Sequence, residues 1–255
     1  MFADERQQLI ADLARRDGRV VVTTLAAELD VAPETVRRDL DALATQGLVR
    51  RVHGGAVPVD ETSGSEAPVA QRALEHAEAK TRIARTALSL LPEGRSSIVL
   101  DAGTTTAQLA EVLPARSELL VVTNAVPIAA RLGVTHPGEV HLLGGRVRGV
   151  TQATVGETGV RQLERLRTDV AFLGSDGITV EHGLSTPDQS EASVKRAMHR
   201  SARSVVALVD SSKIGRELLH CFARLDDVDV VVTDTGIDAR ALAALEQTGV
   251  RVMTA

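Results

Sequence analysis

Residues 20–57, VVVTTLAAELDVAPETVRRDLDALATQGLVRRVHGGAV, decide the fold of the first part of the chain. Val20–Val22 is short, apolar and β-branched, which suits a strand. Thr23 or Thr24 caps a helix running through Asp30, with Leu25 and Leu29 turned inward. Val31-Ala32 makes a turn, and Pro33 stands where a first-turn proline is favoured. In the next helix Val36, Leu40 and Leu43 recur at i, i+4 and i+7 and must face a core, so Thr35, Arg37, Arg38 and Asp41 look outward. Gly47 stops that helix. Leu48–Val52 and Ala56–Val59 then form a hairpin that turns at His53-Gly54-Gly55. A helix, a tight turn, a second helix with adjacent arginines and a hairpin make a winged helix–turn–helix, a shape that fits the DNA major groove.

Before this stretch, residues 4–17 place Leu9, Ile10 and Leu13 on one helical face, with Asp4 as N-cap and Gly18 as the stop. After it, DETSGSEAPVAQRALE (60–75) is polar and holds Ser, Gly and Pro, which reads as a linker. A helix follows at 76–91. From residue 96 short apolar runs alternate with amphipathic segments. The runs are SSIVL (96–100), ELLVVT (118–123), EVHLL (139–143), DVAFL (169–173), SVVALV (204–209), DVVVT (229–233) and VRVM (250–253). Unbroken runs of this kind belong to strands covered on both faces. Segments 105–113, 125–132, 157–166, 189–202 and 238–247 read as the intervening helices. The expected architecture is therefore α/β. A winged helix–turn–helix unit spans 1–59, a linker 60–75, and a larger α/β domain with a mostly parallel sheet 76–255.

Composition narrows the function. Hydrophobic residues make up 44% and charged residues 25% of the 255, which is ordinary for a globular protein. The net charge of −5 argues against a chain coated in nucleic acid. The first 57 residues carry eight arginines against nine acids, so DNA binding rests on where charge is placed. The chain has no Trp or Tyr and three Phe, too few for base or sugar stacking. A small ligand must then be held by polar groups and backbone amides. The single cysteine, Cys221, forms no internal disulfide and reads as a small core residue. The seven histidines show no metal spacing, with His76 and His199 placed at the surface, and no cofactor is implied. The charged start MFADERQQ and the lack of a long apolar run imply a cytoplasmic protein without a membrane partner.

Two sets of residues carry chemistry. Arg37 and Arg38 offer rigid donor forks for guanine edges or phosphates, although Asp39 and Asp41 nearby also suit a solvated face. In the hairpin, Arg50, Arg51 and His53 add polar reach, though neighbouring strand residues point oppositely. Gly54 and Gly55 allow a tight tip whose amides approach phosphate. The second set begins with Asp101-Ala102-Gly103-Thr104-Thr105-Thr106, which follows a strand and opens a helix. Successive amides at a helix start bind anions, and the hydroxyls add donors. No Gly-Lys-Ser/Thr follows, so this is not a Walker loop. Asn124, Gly144-Gly145, Gly174-Ser175-Asp176-Gly177 and Asp210-Ser211-Ser212-Lys213 fall after other strands, at the edge where open α/β sheets gather ligands. Glu191 and Lys195, spaced i, i+4, read as a surface pair.

Leu25–Ala56, above all TVRRDLDAL and RRVHGGA, closely resembles the DNA-binding domain of DeoR-type bacterial transcriptional regulators. Ala32 departs from the pattern, since such proteins usually carry a capping serine there. Ala44 also departs, where glutamate is common. The loops of the second domain resemble the sensor domain of the same family, similar in fold to ribose-5-phosphate isomerase. The resemblance implies a repressor of a sugar-utilisation operon that binds a double-stranded DNA operator. It also implies a homo-oligomer, dimer or tetramer, that a phosphorylated sugar effector releases from DNA. Thr104–Thr106 would hold phosphate. Asp101, Asn124, Asp176 and Lys213 would contact hydroxyls or phosphate. The competing reading is an isomerase-like enzyme with a DNA-binding domain. Those isomerases supply two acids from an Asp-Gly-Ala-Asp loop. Here Leu173-Gly174-Ser175-Asp176 keeps only the second, so binding without turnover is expected. A DNA architectural protein without a ligand is the third reading, and the Gly- and Thr-rich loops speak against it.

Overall fold

The computed structural model describes residues 3–17, 20–45, 48–52, 54–58 and 66–255. The chain divides into two compact units, Met1–Ala67 and Pro68–Ala255.

In the first unit, helix α1 (Ala3–Asp17) leads to strand β1 (Val20–Val21), helices α2 (Val22–Glu28) and α3 (Pro33–Thr45), and strands β2 (Val49–Val52) and β3 (Gly55–Pro58). The strands form a small antiparallel sheet in the order β1-β3-β2. Ile10, Val36, Leu40 and Leu43 are essentially fully buried and form the core with Leu25, Val49 and Ala56.

Several local expectations change. Asp4 lies inside α1, which starts at Ala3, so it is not the cap. The buried stripe of α1 is Ile10, Ala11 and Ala14, and Leu9 is 39% exposed. Neither Thr23 nor Thr24 caps α2. That helix starts at Val22, whose N–H donates to Gly54 O at 2.9 Å, and Val22 is itself buried. The turn opens one residue earlier than the sequence suggests. Asp30 takes a left-handed conformation (φ 50°), and Val31 N–H donates to Ala26 O at 3.0 Å, closing α2 in a Schellman motif. Asp39 is not on the solvated face of α3. It is 3% exposed and accepts from Arg6 Nε at 2.6 Å and Gln7 Nε2 at 3.0 Å. Gly47 lies outside the described residues.

In the second unit, helices α4 (Val69–Leu74) and α5 (Ala77–Ala87) precede a sequence of strands and helices. These are β4 (Ser96–Leu100), α6 (Thr104–Val112), β5 (Leu119–Thr123), α7 (Val126–Thr135), β6 (Val140–Leu142), β7 (Arg146–Arg148), β8 (Ala153–Val155), α8 (Glu157–Glu164), β9 (Thr168–Gly174), β10 (Gly177–Thr179), β11 (Gly183–Thr186), α9 (Gln189–Ser201), β12 (Ala202–Leu208), β13 (His220–Ala223), β14 (Val230–Thr233), α10 (Ala239–Gln247) and β15 (Arg251–Thr254). All seven apolar runs become one parallel sheet in the order β15-β14-β12-β9-β4-β5-β6. Alternate strand residues feed two cores. Val99, Ala171 and Leu173 pack on one side, and Ile98, Leu100, Val170 and Phe172 on the other. That double coverage is why the runs are continuous in apolar character.

From β4 the chain passes to β5 and β6 on one side, then returns to β9, β12, β14 and β15 on the other. The C-terminal ends of β4 and β9 thus border a topological switch point, where such sheets form a ligand crevice. Smaller sheets, β10-β11-β13 and β7-β8, were not anticipated. The expected linker over 60–75 is described only from residue 66. Residues 60–65 lie outside the described residues, and 68–75 belong to the second unit as α4 and its flanks. Val69 N–H donates to Val150 O at 2.8 Å, which ties α4 there. The expected helix at 76–91 is α5 followed by a 3₁₀ turn at Leu88–Leu90.

Candidate DNA face and effector cleft

On α3, Arg37 and Arg38 are exposed and Thr35 is half-buried. Arg37 is partly engaged, donating to Glu34 at 2.9 Å across one helical turn. Arg38 has no hydrogen bond or ion pair among the described residues. Arg51 pairs with Asp41 at 3.0 Å, which fastens the wing to the outer edge of α3. Arg50 sits in β2 opposite Val57, and His53 lies outside the described residues. The two glycines divide their tasks. Gly54 is exposed with φ 77° and makes the turn. Gly55 is buried, and a Cβ on it would stand 2.0 Å from Val20 O. Gly55 therefore admits β1 to the sheet and presents nothing at the tip.

In the second unit, the segment after β4 opens α6 with Gly103 as N-cap, without a side-chain capping bond. The first amides of a helix have no intrahelical acceptor, so those of Thr104 and Thr105 remain as donors. Both residues line a cleft at the switch point, with Gly103, Asp176 and Lys213. Thr106 does not. It is fully buried, and its hydroxyl donates to Asp101 O at 2.7 Å and Gly103 O at 2.9 Å, tightening the loop. Asn124 is a brace, not a lining group. Its Oδ1 accepts from Ala102 N–H at 2.9 Å and its Nδ2 donates to Thr154 O at 3.2 Å. Gly144 and Gly145 are not brought to the cleft, because β6 is the sheet edge, two strands from the switch point. Gly144 N–H donates to Gln162 Oε1, and Gly145 (φ 145°) sits where a Cβ would be 2.5 Å from Val155 O.

Asp101 lies beneath the cleft and is fully buried. Its Oδ2 accepts from Lys195 Nζ and from Gly174 N–H at 3.1 Å. Lys195 also donates to Gly174 O at 3.0 Å. Burial pushes the Asp101 carboxyl up, and the Lys195 charge opposes it. Burial works against the Lys195 charge, but Asp101, Glu191 and Asp176 outweigh it and hold the ammonium above the usual lysine range. The surface reading of Glu191 and Lys195 is thus overturned. Both are about 4% exposed and line the cleft. Glu191 accepts from Thr151 Oγ1 and from Arg148 Nη1 at 3.2 Å.

Ser175 and Asp210, from two of the loops placed at that edge, also line the cleft, as do Arg72 and Lys80, which sequence reasoning missed. Among the described lining residues, four cations (Arg72, Lys80, Lys195, Lys213) face three carboxylates (Asp176, Glu191, Asp210). Burial holds the Lys80 ammonium below the usual lysine range, Asp210 opposing and Lys213 adding to the effect. With the open amides of α6, this arrangement suits an anion bearing hydroxyl groups. Where a two-acid loop would place its first carboxylate stands Leu173, fully buried in the core. Cys221 is half-buried rather than core. His76 is exposed, while the His199 side chain is 17% exposed and lies 3.8 Å from Asp227.

The Lys213 loop is braced from below. Asp234 accepts from Ser211 N–H at 2.7 Å, Ser211 Oγ at 3.0 Å and Gly236 N–H at 3.0 Å. Burial raises the Asp234 carboxyl, but these hydrogen bonds outweigh it and hold it below the usual aspartate value of 3.8. A carboxylate depressed on folding adds stability above its unfolded value, and that stability is lost as pH falls through the folded one. Asp234→Asn is therefore expected to lower the melting temperature at pH 7, with the difference shrinking below about pH 4. Circular-dichroism melts of both proteins at pH 7 and 3 check this. A difference that ignores pH would assign the brace to shape rather than charge.

Comparison with known proteins agrees with both units. The family model described as a DeoR-like helix-turn-helix domain matches residues 6–62, and that described as a DeoR C terminal sensor domain matches residues 75–235. The HTH-type transcriptional regulator GlpR of Haloferax volcanii is 39% identical over 254 residues, covering 99% of this chain and 98% of that protein. The glycerol-3-phosphate regulon repressor of Escherichia coli is 34% identical over 234 residues, 92% of each chain. A solved ribose 5-phosphate isomerase A of Methanocaldococcus jannaschii aligns over 55% of each chain at 18% identity with a TM-score of 0.40. Among the described residues no helix is long and apolar enough to cross a membrane.

Proposed function

Since the chain belongs to the DeoR family of DNA-binding transcriptional regulators, we propose that it represses a sugar- or sugar-phosphate-utilisation operon as a homo-oligomer and leaves its operator when a phosphorylated sugar fills the cleft at α6. The observation that carries the effector reading is the cleft itself. Open helix-start amides, Lys213, Lys80 and Arg72 offer donors suited to a phosphate, and Asp176 offers an acceptor suited to hydroxyls, within one crevice. One relative is named a glycerol-3-phosphate regulon repressor, which supports a small phosphorylated ligand, and another a putative aga operon transcriptional repressor. The isomerase alternative is disfavoured by the buried Leu173 and by Glu191, which is engaged with Thr151 and Arg148. For a 100-fold release, the ligand must prefer the released state by about 2.7 kcal/mol.

The test is binding to the DNA upstream of the chain's own gene, at fixed salt, with and without sn-glycerol 3-phosphate, fructose 1-phosphate, glucose 6-phosphate and ribose 5-phosphate. Release by one compound supports the whole reading. Specific DNA binding that ignores the panel removes the sugar-phosphate effector, and turnover of any compound would reinstate the enzyme. Arg38→Ala is expected to weaken operator binding by about 1–3 kcal/mol without changing effector affinity, read by anisotropy of labelled DNA. If Arg37→Ala and Arg38→Ala both bind as the unaltered protein does, α3 is not the reading helix.

A further inference from the structure

Helix α4 is the first element after the boundary between the two units, and its own sequence gives it little stability. It has six residues, no buried residue, no side-chain N-cap, and Leu74 is 82% exposed. An isolated helix of that length does not persist in water. What holds it is polar. Arg72 Nη1 pairs with Asp176 Oδ1 at 2.9 Å, with both side chains largely shielded. Lys80 Nζ donates to Arg72 O at 2.5 Å and to Glu75 O at 2.6 Å, closing the C-terminal end of the helix. Arg72, Asp176 and Lys80 all line the effector cleft. The groups that dock the connecting helix are thus the groups an anionic, hydroxylated ligand would engage.

We propose that Arg72 is an effector-contacting residue supplied by the connecting segment, and that exchange of its pair with Asp176 for contacts with the ligand transmits occupancy of the cleft to the DNA-binding unit. This rests on the sugar-phosphate reading of the cleft. A ligand that takes a hydroxyl bond to Asp176 and presents phosphate to Arg72 and Lys80 replaces the ties at the C-terminal end of α4, while the Val69–Val150 bond still holds its start. Because the helix has almost no apolar burial to fall back on, the position of that end follows those ties. A ligand can shift an equilibrium only through interactions that differ between the two states, and this pair is such a difference. Arg72 was not visible as a site residue in the sequence because its partner lies 104 positions away.

The experiment uses the full chain and labelled DNA from upstream of its gene. DNA affinity is measured with and without each of the four sugar phosphates, and amide exchange is followed at residues 69–75. Arg72→Gln removes the tie, and Gln71→Ala alters an exposed neighbour on the same helix. Allosteric couplings commonly span about 5- to 150-fold. If a compound changes the DNA affinity of the unaltered protein, Arg72→Gln is expected to bring the ratio with and without it to within about twofold of one. Gln71→Ala should keep the full ratio. An Arg72→Gln protein that keeps the full ratio overturns the proposal. If no compound binds the unaltered protein, the sugar-phosphate reading fails separately, and the pair is judged without ligand. Arg72→Gln and Asp176→Asn should then each change DNA affinity by about fivefold or more and speed exchange at 69–75. Unaltered affinity in both variants overturns it. Asp176→Asn also guards against a folding defect peculiar to Arg72→Gln.

Discussion

Lys195→Met is expected to destabilise the second unit by about 3–5 kcal/mol, the usual cost of removing one partner from a buried ion pair. The reason is the carboxylate left behind. Asp101 is fully buried, and its Oδ2 has Lys195 and the Gly174 amide as partners, while Oδ1 has none among the described residues. Without the ammonium, the site keeps a charge that one amide cannot satisfy. For a domain near 190 residues the loss corresponds to about 6–20 °C in melting temperature. Asp101→Asn added to Lys195→Met removes the stranded charge and keeps an acceptor for Gly174, so it should recover at least half of the loss. Urea unfolding followed by far-UV circular dichroism is the measurement, since the chain has no Trp or Tyr to report by fluorescence. A loss below about 1 kcal/mol would mean that water reaches the pair and that it behaves as a surface bridge.

Gly55→Ala is expected to disable the first unit while leaving the second intact. A Cβ there would lie 2.0 Å from Val20 O and 3.2 Å from Val21 Cα, both backbone atoms that no rotamer change can move. Strand β1 must leave β3. Because Val22 N–H is held by Gly54 O, the start of α2 moves with it, and α2 sets α3. Overpacking of this kind costs about 1–3 kcal/mol, and with lost strand pairing the upper end applies. DNA affinity should fall at least about tenfold, or 1.4 kcal/mol. Gly54→Asn is the companion. It adds a side chain in open space at φ 77°, a conformation asparagine tolerates, and should cost about 1 kcal/mol or less. Equal DNA affinity for Gly55→Ala and the unaltered protein would mean that the wing tolerates displacement of β1.

Much of the second unit could be read from the sequence because its strands are covered on both faces. Ile98, Val99 and Leu100 must all be apolar when one neighbour lies above the sheet and the next below it. The short antiparallel strands gave no such signal. Gly177–Thr179 and Gly183–Thr186 are three and four residues long, and their register depends on partners as distant as Ala223. The candidate site was legible where chemistry is local. Gly103-Thr104-Thr105 marks a candidate anion loop by its own composition, whereas Asp101 and Lys195 meet across 94 positions. Even so, α9 carried a clue. Glu191, Val194, Lys195, Met198 and Ser201 share one buried stripe, so a lysine between Val194 and Met198 on that stripe cannot be a surface residue. Asn124 and Thr106 were expected to contact the effector, but their hydrogen bonds turn inward.

The spread of the site along the chain sets an order of events during synthesis. The DNA-binding unit is complete by residue 67, whereas the cleft draws on residues from Arg72 to Lys213 and its brace on Asp234. Domains emerging first from the ribosome fold first, at about 5–20 residues per second. For the roughly ten to forty seconds that such a rate implies for the remaining residues, the nascent chain carries a finished DNA reader without its sensor domain. A message cut short between Ala67 and Asp234 would leave that state permanent.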